Sequence, residues 1–186
     1  MTEPGQRERF ERLMLPHMDA AYSLAYWLTR NETRAADAVQ EAYLRALRFF
    51  GSFRGEDGRP WLLKIVRNAC HEMRDRERVF AEAAEFDETD VGAEAAAPGA
   101  VLVLPVNPEA AAIERADREL VRRCLLALPD EYREALVLRE LQGCTYREIA
   151  AIAGIPIGTV MSRLARGRRL LQARICECVK REDTGT

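Results

Sequence analysis

A stripe of hydroxyl and guanidinium groups near the end of the chain is the part of the sequence best suited to binding a polyanion. Its members recur at helical spacing and would share one face of a helix: Thr159, Ser162, Arg163, Arg166 and Arg169. Arginine binds phosphate oxygens and the acceptor edge of guanine, and small hydroxyl groups bond to phosphates or base edges. By itself an arginine-rich face is more typical of a solvated amphipathic helix, so the residues around the stripe decide its interpretation.

The residues before and within the stripe predict two helices separated by a tight turn. Thr145 and Glu148 form a capping-box pattern, in which each side chain bonds the other residue's backbone N–H. Gly154 tolerates the left-handed conformation that ends a helix, and Pro156 lies just beyond it. Thr159 is predicted to cap the second helix. Together these features predict a helix-turn-helix whose second helix enters the DNA major groove.

Charge is distributed unevenly along the 186 residues, although the net charge is only −2. Residues 1–76 carry 13 basic and 11 acidic side chains, which is a net +2. Residues 77–120 carry 3 and 11, a net −8, and residues 121–186 carry 12 and 8, a net +4. An acidic middle between two mildly basic ends predicts two modules with a distinct linker. Alanine, proline, glycine and acids in residues 87–108 predict that this linker is flexible.

Several classes of function find no support in the sequence. No apolar run approaches the ~18 residues of a membrane span, and the amino terminus lacks an apolar signal core, so we expect a cytoplasmic protein. Motifs of P-loop enzymes, serine hydrolases and zinc proteases are missing from the sequence, so we expect no enzymatic activity. Most of the cysteines are predicted to be small packing residues. Cys176 and Cys178 would point in different directions on a helix. We therefore expect neither a metal nor a cofactor.

Apolar periodicity predicts helices in both modules. Residues 7–50 predict two helices divided near Asn31, the glycine-rich residues 51–60 predict a loop, and a third helix continues to about Arg78. The helical period returns from residue 108. The predicted fold class is all-α: two small helical domains joined by a flexible acidic linker, with the helix-turn-helix in the C-terminal domain.

Three segments stand out in order along the chain: residues 37–46 (DAVQEAYLRA), residues 60–68 (PWLLKIVRN), and residues 128–139 (LPDEYREALVLR) followed by the helix-turn-helix. Together they resemble bacterial RNA polymerase sigma factors of the sigma-70 family. The first segment resembles the family's polymerase-binding helix, the second resembles the opening of its −10 element reader, and the third, with the helix-turn-helix, resembles its −35 element reader. A chain with only these two modules resembles the extracytoplasmic-function group.

The resemblance implies a division of the chain and a set of partners. It assigns residues 1–80 to sigma region 2, residues 81–108 to an acidic flexible linker, and residues 109–186 to sigma region 4. It implies binding to core RNA polymerase, through its β and β′ subunits, and to promoter DNA, in order to initiate transcription of a stress- or signal-responsive regulon. It further implies restraint by an anti-sigma factor.

The resemblance also implies three groups of site residues. The group that binds the β′ subunit shares one face of a helix by its i, i+3, i+4, i+7 spacing: Asp37, Gln40, Glu41 and Leu44. The group that binds the −10 element would capture single-stranded bases and hold phosphates: Phe53, Arg54, Lys64, Arg67, Asn68, His71 and Arg74. The group that binds the −35 element is the arginine stripe with one apolar neighbour: Thr159, Met161, Ser162, Arg163, Arg166 and Arg169.

An ordinary helix-turn-helix regulator, with an amino-terminal dimerisation or sensing domain, is the main alternative. Such a regulator would bind a palindrome as a dimer and would need no polymerase. A sigma factor would read asymmetric promoter DNA only together with core enzyme. The segments 37–46 and 60–68 favour the sigma factor.

Overall fold

The computed structural model describes residues 4–84 and 108–183, and all regular structure there is helical. This confirms the predicted all-α fold class. Most of the predicted acidic linker, residues 85–107, lies outside the described residues. Within the described residues the α-helices are, in chain order: α1 Pro4–Met14, α2 Met18–Thr29, α3 Glu32–Phe49, α4 Arg59–Ala84, α5 Pro108–Leu126, α6 Asp130–Leu136, α7 Tyr146–Ala153 and α8 Ile157–Asp183.

Local signals explain where the first helices begin and end. The predicted break near Asn31 is present, because the Asn31 side chain accepts from the Arg34 N–H and caps α3. Arg30 ends α2 in a left-handed conformation, with φ of 59°. The prediction of a single helix before Asn31 was wrong, since a 3-10 turn at Leu15–His17 separates α1 from α2. Pro16 lies in that turn, where its missing N–H costs no helical hydrogen bond.

Two further helix boundaries differ from the sequence-based prediction. Helix α4 runs to Ala84 rather than to about Arg78, so it extends four residues into the segment assigned to the linker. Helix α8 begins at Ile157, and the Thr159 N–H donates to the Pro156 carbonyl. The prediction that Thr159 caps this helix was therefore wrong, because Thr159 already lies in its first turn.

The two helical groups, residues 4–84 and 108–183, pack against each other. Helices α2, α3 and α4 form the first group's core, and α6, α7 and α8 form the second group's core. Helix α2 contacts α6, and α4 contacts α7. Buried side chains of both groups consequently form one continuous hydrophobic cluster, which runs from Phe10 to Leu164.

In residues 4–84 and 108–183, no helix taken singly has the length and apolar content for a membrane crossing. Helices Tyr146–Ala153 and Ile157–Arg181 are long and apolar enough only when taken together, and they are bent by 103° relative to each other.

Gly154 supplies the backbone conformation that turns α7 into α8. It lies at the end of α7 with φ of 68°, and its N–H donates to the Ala150 carbonyl. A Cβ atom at this left-handed φ is strained, so Gly154→Ala is expected to lower the free energy of unfolding by about 1 kcal/mol in a urea titration. Gly158→Ala is the matched control, because Gly158 is helical and a Cβ atom added there would enter open space. Equal stability of the two variants would contradict this assignment.

Candidate nucleic-acid and polymerase interfaces

The predicted stripe on α8 forms one accessible face of the helix. Ser162, Arg166 and Arg169 are exposed, whereas Thr159 and Arg163 are half-buried. The neighbouring Met161 is 55% exposed, so a large apolar group also stands on this face. The opposite face packs into the core, as predicted, through its apolar residues: Val160, Leu164 and Leu171.

The arginines of the stripe are positioned by groups on α6. Arg166 lies over the Tyr132 ring, with its guanidinium carbon 5.8 Å from the ring centroid. Arg163 Nη2 lies 3.8 Å from Glu131 Oε2, which is a long ion pair. Because a ring and a distant carboxylate leave most guanidinium hydrogens available, both side chains can bond a phosphate or a base edge.

A short capped helix sets the orientation of this face. The Glu148 N–H donates to Thr145 Oγ1 at 3.3 Å, and the Thr145 N–H donates to Glu148 Oε2 at 2.6 Å. This is the predicted capping box, which the structure confirms. The axes of α7 and α8 then meet at 103° across Gly154. Helix α8 thus projects from the domain as the second helix of a helix-turn-helix does.

The predicted polymerase-binding residues lie along α3. Asp37, Gln40 and Leu44 are exposed, and Leu44 is 57% exposed despite being apolar. Glu41 is half-buried and accepts from Arg45 Nε at 2.7 Å. This hydrogen bond lowers the pKa of Glu41 below its ordinary value. Three of the four side chains are therefore exposed to solvent and accessible to a partner, while Glu41 is already hydrogen-bonded within α3.

The loop before α4 presents its aromatic residue inward. Phe53 is only 6% exposed, and its ring stacks on Phe50 with centroids 5.8 Å apart. Its other neighbour is Trp61, at 5.0 Å between centroids. The Phe53 ring cannot stack on a DNA base in this arrangement, because the aromatic cluster already occupies it. Arg54 is exposed and donates to the Gly51 carbonyl at 3.1 Å.

Close approach of α1 holds this loop in place. A Cβ atom added at Gly58 would lie 2.8 Å from the Leu13 carbonyl oxygen and 2.7 Å from Met14 Cε. Only glycine fits at such distances without a backbone shift. The loop between Phe53 and α4 is therefore packed against the first helix.

The predicted −10 contacts on α4 are split between solvent and the second helical group. Lys64 is exposed. The other four predicted residues are half-buried: Arg67, Asn68, His71 and Arg74. Two of them form ion pairs across the groups, Arg67 with Glu134 and Arg74 with Asp130.

These ion pairs involve acids of α6 that the sequence did not single out. Glu134 is 4% exposed. Burial alone would raise its pKa, but the neighbouring His71 and the hydrogen bond from Arg67 together outweigh burial, and the pKa of Glu134 is lowered. Asp130 is half-buried, and although burial opposes ionisation, the Arg133 hydrogen bond and the arginines around it lower its pKa. Both acids are therefore carboxylates near neutral pH.

Other interfacial residues were also missed by sequence reasoning. Arg133 is fully buried, and its Nε donates to the Trp27 carbonyl at 2.8 Å. Arg59 Nη2 donates to Gln142 Oε1 at 3.2 Å. The sequence did contain one signal: a charged residue inside the apolar period of α6 must be either paired or solvated. It held no indication of which distant residues would form the pairs.

Within residues 4–84 and 108–183, no three His, Cys, Asp or Glu side chains converge as a metal site requires.

Comparison with protein families matches both helical groups in chain order. The family described as "Sigma-70 region 2" matches residues 13–79, and the family described as "Sigma-70, region 4" matches residues 118–171. The two matches fall on the groups that contain α3 with α4 and α7 with α8, respectively.

Curated relatives resemble the chain over most of its length. It is 35% identical over 184 residues to the ECF RNA polymerase sigma-E factor of Escherichia coli K12, covering 97% of this chain and 93% of the relative. It is 34% identical over 164 residues to the ECF RNA polymerase sigma factor SigE of Mycolicibacterium smegmatis, covering 88% of this chain. The chain spans only 60% of that second relative's length.

Two solved structures share the fold. The sigma factor RpoE of Bartonella quintana, in complex with the anti-sigma factor NepR, aligns with a TM-score of 0.69 and 28% identity. The alignment covers 89% of this chain and 96% of that one. CnrH, in complex with the cytosolic domain of CnrY, aligns with a TM-score of 0.56 and 24% identity over 88% and 85% of the two chains, a likeness of fold alone.

Proposed function

This chain belongs to the sigma-70 family of RNA polymerase sigma factors, in its extracytoplasmic-function group, and we propose that it directs transcription initiation. It binds core RNA polymerase, recognises −10 and −35 promoter elements, and switches on a stress- or signal-responsive regulon. Acting as an initiation factor, it works in the cytoplasm and catalyses no reaction itself.

One observation carries the proposal: a single chain holds the region 2 and region 4 matches in that order, each with an accessible face of suitable chemistry. In region 2 that face is acidic and apolar, on α3. In region 4 it is basic, on α8. A conventional regulator would need the basic face on α8 to bind DNA, but it would not need the acidic and apolar face on α3.

The −35 element is read by α8 in the major groove. Arg166 and Arg163 reach phosphates or guanine, and Ser162 and Thr159 bond neighbouring phosphates or base edges. Met161 offers an apolar contact, of the kind that suits the methyl group of thymine. Arg169 extends the basic stripe along the groove.

The −10 element is read by α4 and the loop before it. Arg54 and Lys64 are exposed and can hold phosphates of the separated strand. Arg67, Asn68, His71 and Arg74 provide further cationic and polar groups on the same helix. Phe53 must leave its aromatic cluster if it is to stack on a captured base.

Core polymerase binds the α3 face, with Leu44 as an apolar anchor between polar neighbours. Burying a leucine side chain is favourable by roughly 1.5–3 kcal/mol when complete. Since Leu44 is already partly covered in the free chain, Leu44→Ala is expected to weaken core binding by about 1–2 kcal/mol in a fluorescence titration. Leu15→Ala is the matched control, because Leu15 is 45% exposed in the 3-10 turn between α1 and α2 and is not one of the predicted polymerase-binding residues. Equal affinities of the two variants for core polymerase would show that Leu44 is not part of the interface.

An anti-sigma factor holds the protein inactive until a signal releases it. The related RpoE and CnrH structures are both complexes, with NepR and with a domain of CnrY. The relationship between RpoE and this chain, at 28% identity over 89% of its length, supports the same kind of partner here.

Promoter complexes assembled from purified components test the proposal. Core RNA polymerase with this chain should protect an asymmetric promoter from nuclease at both elements, and neither component should do so alone. Protection of a palindrome by the chain without polymerase, and none with it, would instead identify a conventional regulator.

A further inference from the structure

The face of α4 that carries predicted −10 contacts is paired with acidic side chains of α6 in region 4. Arg67 Nε donates to Glu134 Oε1, and Arg74 Nη1 donates to Asp130 Oδ2. His71 Nε2 lies 3.6 Å from Glu134 Oε2. All three α4 side chains therefore face acids of the other helical group.

The α6 carboxylates bind these side chains as phosphates would. A carboxylate and a phosphate offer arginine the same charged oxygen acceptors. The Arg67 side chain is 19% exposed and the Glu134 side chain 5% exposed, so a DNA strand cannot reach this pair without displacing α6. The cleft beside the pairs, about 320 Å³, is lined by charged groups of α4 and α6 and by Arg163 of the −35 stripe on α8.

Further contacts reinforce the packing of the two helical groups against each other, which we call the closed arrangement. They join the two helical groups at several separate points: Arg30 Nη2 to Asp130 Oδ1 at 2.9 Å, Arg133 Nε to the Trp27 carbonyl at 2.8 Å, Arg122 Nη1 to Tyr26 Oη at 2.7 Å, and Gln142 Nε2 to Ser23 Oγ at 3.1 Å. Because these contacts lie on α2, α5, α6 and the segment after α6, the interface is extended rather than a single touching point.

We infer that Asp130 and Glu134, the α6 acid pair, form an interaction surface whose partner is the −10 face of this same chain. While the acid pair is bound to α4, the free protein cannot read the −10 element. Core polymerase opens the arrangement by holding the two regions apart. This inference rests on the proposed function, because it gives the α4 face its DNA ligand.

Only open molecules can bind DNA through α4. The apparent affinity of the free chain is therefore its intrinsic affinity multiplied by the fraction of molecules that are open. If one molecule in ten or fewer is open, the apparent dissociation constant is raised about tenfold or more. A variant that weakens the contact between the acid pair and α4 should therefore bind DNA more tightly, by up to that factor. The readout is the affinity of the free chain for a single-stranded −10 oligonucleotide.

Two variants weaken the contact by different routes. Glu134→Gln keeps the shape of a buried side chain and removes its charge. Arg30→Gly removes the Asp130 partner from an exposed site, and glycine suits the left-handed φ of 59° there, so this variant should fold well. Glu140→Gln is the control, since it removes one negative charge from region 4 at a 51% exposed site paired with Arg168.

Small-angle X-ray scattering and oligonucleotide binding decide the matter together. We expect a compact wild-type chain, expansion in Glu134→Gln and Arg30→Gly, and binding at least about fivefold tighter in both than in Glu140→Gln. Variants that match Glu140→Gln in both measurements would overturn the inference. Expansion without tighter binding would overturn it as well, because the contact would then join the regions without blocking DNA.

Transcription with core polymerase separates this inference from the proposed function. Wild type and Arg30→Gly should support the same level of promoter-specific transcription once core enzyme is saturating. If neither supports any, the proposed function fails, while scattering still shows whether α6 closes on α4.

An independent observation concerns two thiols that meet between α5 and α8. Cys124 Sγ lies 3.8 Å from Cys178 Sγ. Cys124 is 3% exposed and Cys178 is half-buried, so a small oxidant reaches the pair through Cys178. Cys176 is exposed, but its position two residues earlier on α8 turns it away from Cys124.

The geometry points to this pair as an oxidation site at which a peroxide forms a disulfide. The Cys178 thiolate attacks hydrogen peroxide, which breaks the O–O bond, gives a sulfenic acid and releases hydroxide. The Cys124 thiolate then attacks that sulfur, forms the S–S bond and releases a second hydroxide. The two thiol protons convert both hydroxides to water, so two thiols and one peroxide give one disulfide and two waters.

Local structure sets the order of these steps. Burial raises the pKa of Cys124, as does its hydrogen bond with Cys178, so Cys124 is a poor first nucleophile. Closing the sulfurs from 3.8 Å to the disulfide length of about 2 Å needs a movement of the order that a side-chain rotation supplies.

Peptide mapping of the full chain after peroxide treatment tests the site. We expect a Cys124–Cys178 linked peptide in wild type and in Cys176→Ser, none in Cys124→Ser, and a thermal midpoint that rises on oxidation and returns with dithiothreitol. A link through Cys176 would overturn the assignment. So would sulfinic acid at Cys178 beside a free Cys124 thiol.

Discussion

Replacing Arg133 by methionine is expected to lower the free energy of unfolding by about 3–5 kcal/mol, because it leaves buried acceptors without a donor. The Arg133 side chain is 1% exposed. It donates to the carbonyls of Trp27 and Leu128, each at 2.8 Å, and to Asp130 Oδ1 at 2.6 Å. Methionine fills similar space but satisfies none of these groups. Urea titration followed by circular dichroism measures the loss.

Two further variants test the explanation for Arg133. Arg147→Ala removes a positive charge from an exposed site on α7 and should change stability by less than about 0.5 kcal/mol. Arg133→Lys restores the charge without the planar fork and should fall between wild type and Arg133→Met. A loss below about 1 kcal/mol in Arg133→Met would show that water or a rearranged loop satisfies the carbonyls.

Removing the Arg166 side chain is expected to weaken promoter binding by about 1–3 kcal/mol, or roughly five- to 150-fold. Arg166 is exposed on the α8 stripe, and the Tyr132 ring 5.8 Å away orients its guanidinium without neutralising it. The measurement is the affinity of polymerase carrying Arg166→Ala for promoter DNA, repeated at several salt concentrations. Arg174→Ala is the matched control, since it removes the same charge further along α8.

The pattern of loss also identifies what Arg166 touches. A base contact would make binding indifferent to one position of the −35 element and leave other sequences unaffected. A phosphate contact would weaken all sequences alike and reduce the slope of log affinity against log salt by about 0.9. If Arg166→Ala matched Arg174→Ala in affinity and salt dependence, the stripe would lose its assigned role.

Local signals in the sequence were sufficient to predict the helix-turn-helix. The capping box joins Thr145 and Glu148, which are three positions apart, and the turn depends on the backbone conformation of Gly154 alone. Both features therefore depend only on interactions within a short segment. The apolar period likewise placed Val160 and Leu164 in the core. The family was equally readable, because three separate motifs occurred in the order that region 2 and region 4 require.

Contacts between distant segments could not be predicted in the same way. The Arg67–Glu134 pair joins residues 67 positions apart, and the Arg74–Asp130 pair joins residues 56 apart. Periodicity shows that a charged residue lies on a given face, but it does not show which helix covers that face. For this reason the sequence placed Arg67 and Arg74 among DNA contacts, while the structure pairs them with α6.

The inward position of Phe53 has a similar cause. An aromatic residue in a glycine-rich loop is equally suited to stacking on a base and to packing against other rings. The choice depends on Phe50 and Trp61, which lie on either side of the loop and come together only once α1, α3 and α4 have packed. Sequence spacing alone does not contain that information.

Run-off transcription is the measurement that tests the central claim most directly. Core bacterial RNA polymerase, a library of promoter fragments, and this chain are combined, and transcripts are sequenced with and without the chain. We predict transcripts that appear only when the chain is present and that start downstream of shared −10 and −35 elements. Binding of polymerase-free chain to palindromic DNA, with no chain-dependent transcript, would contradict the assignment as a sigma factor.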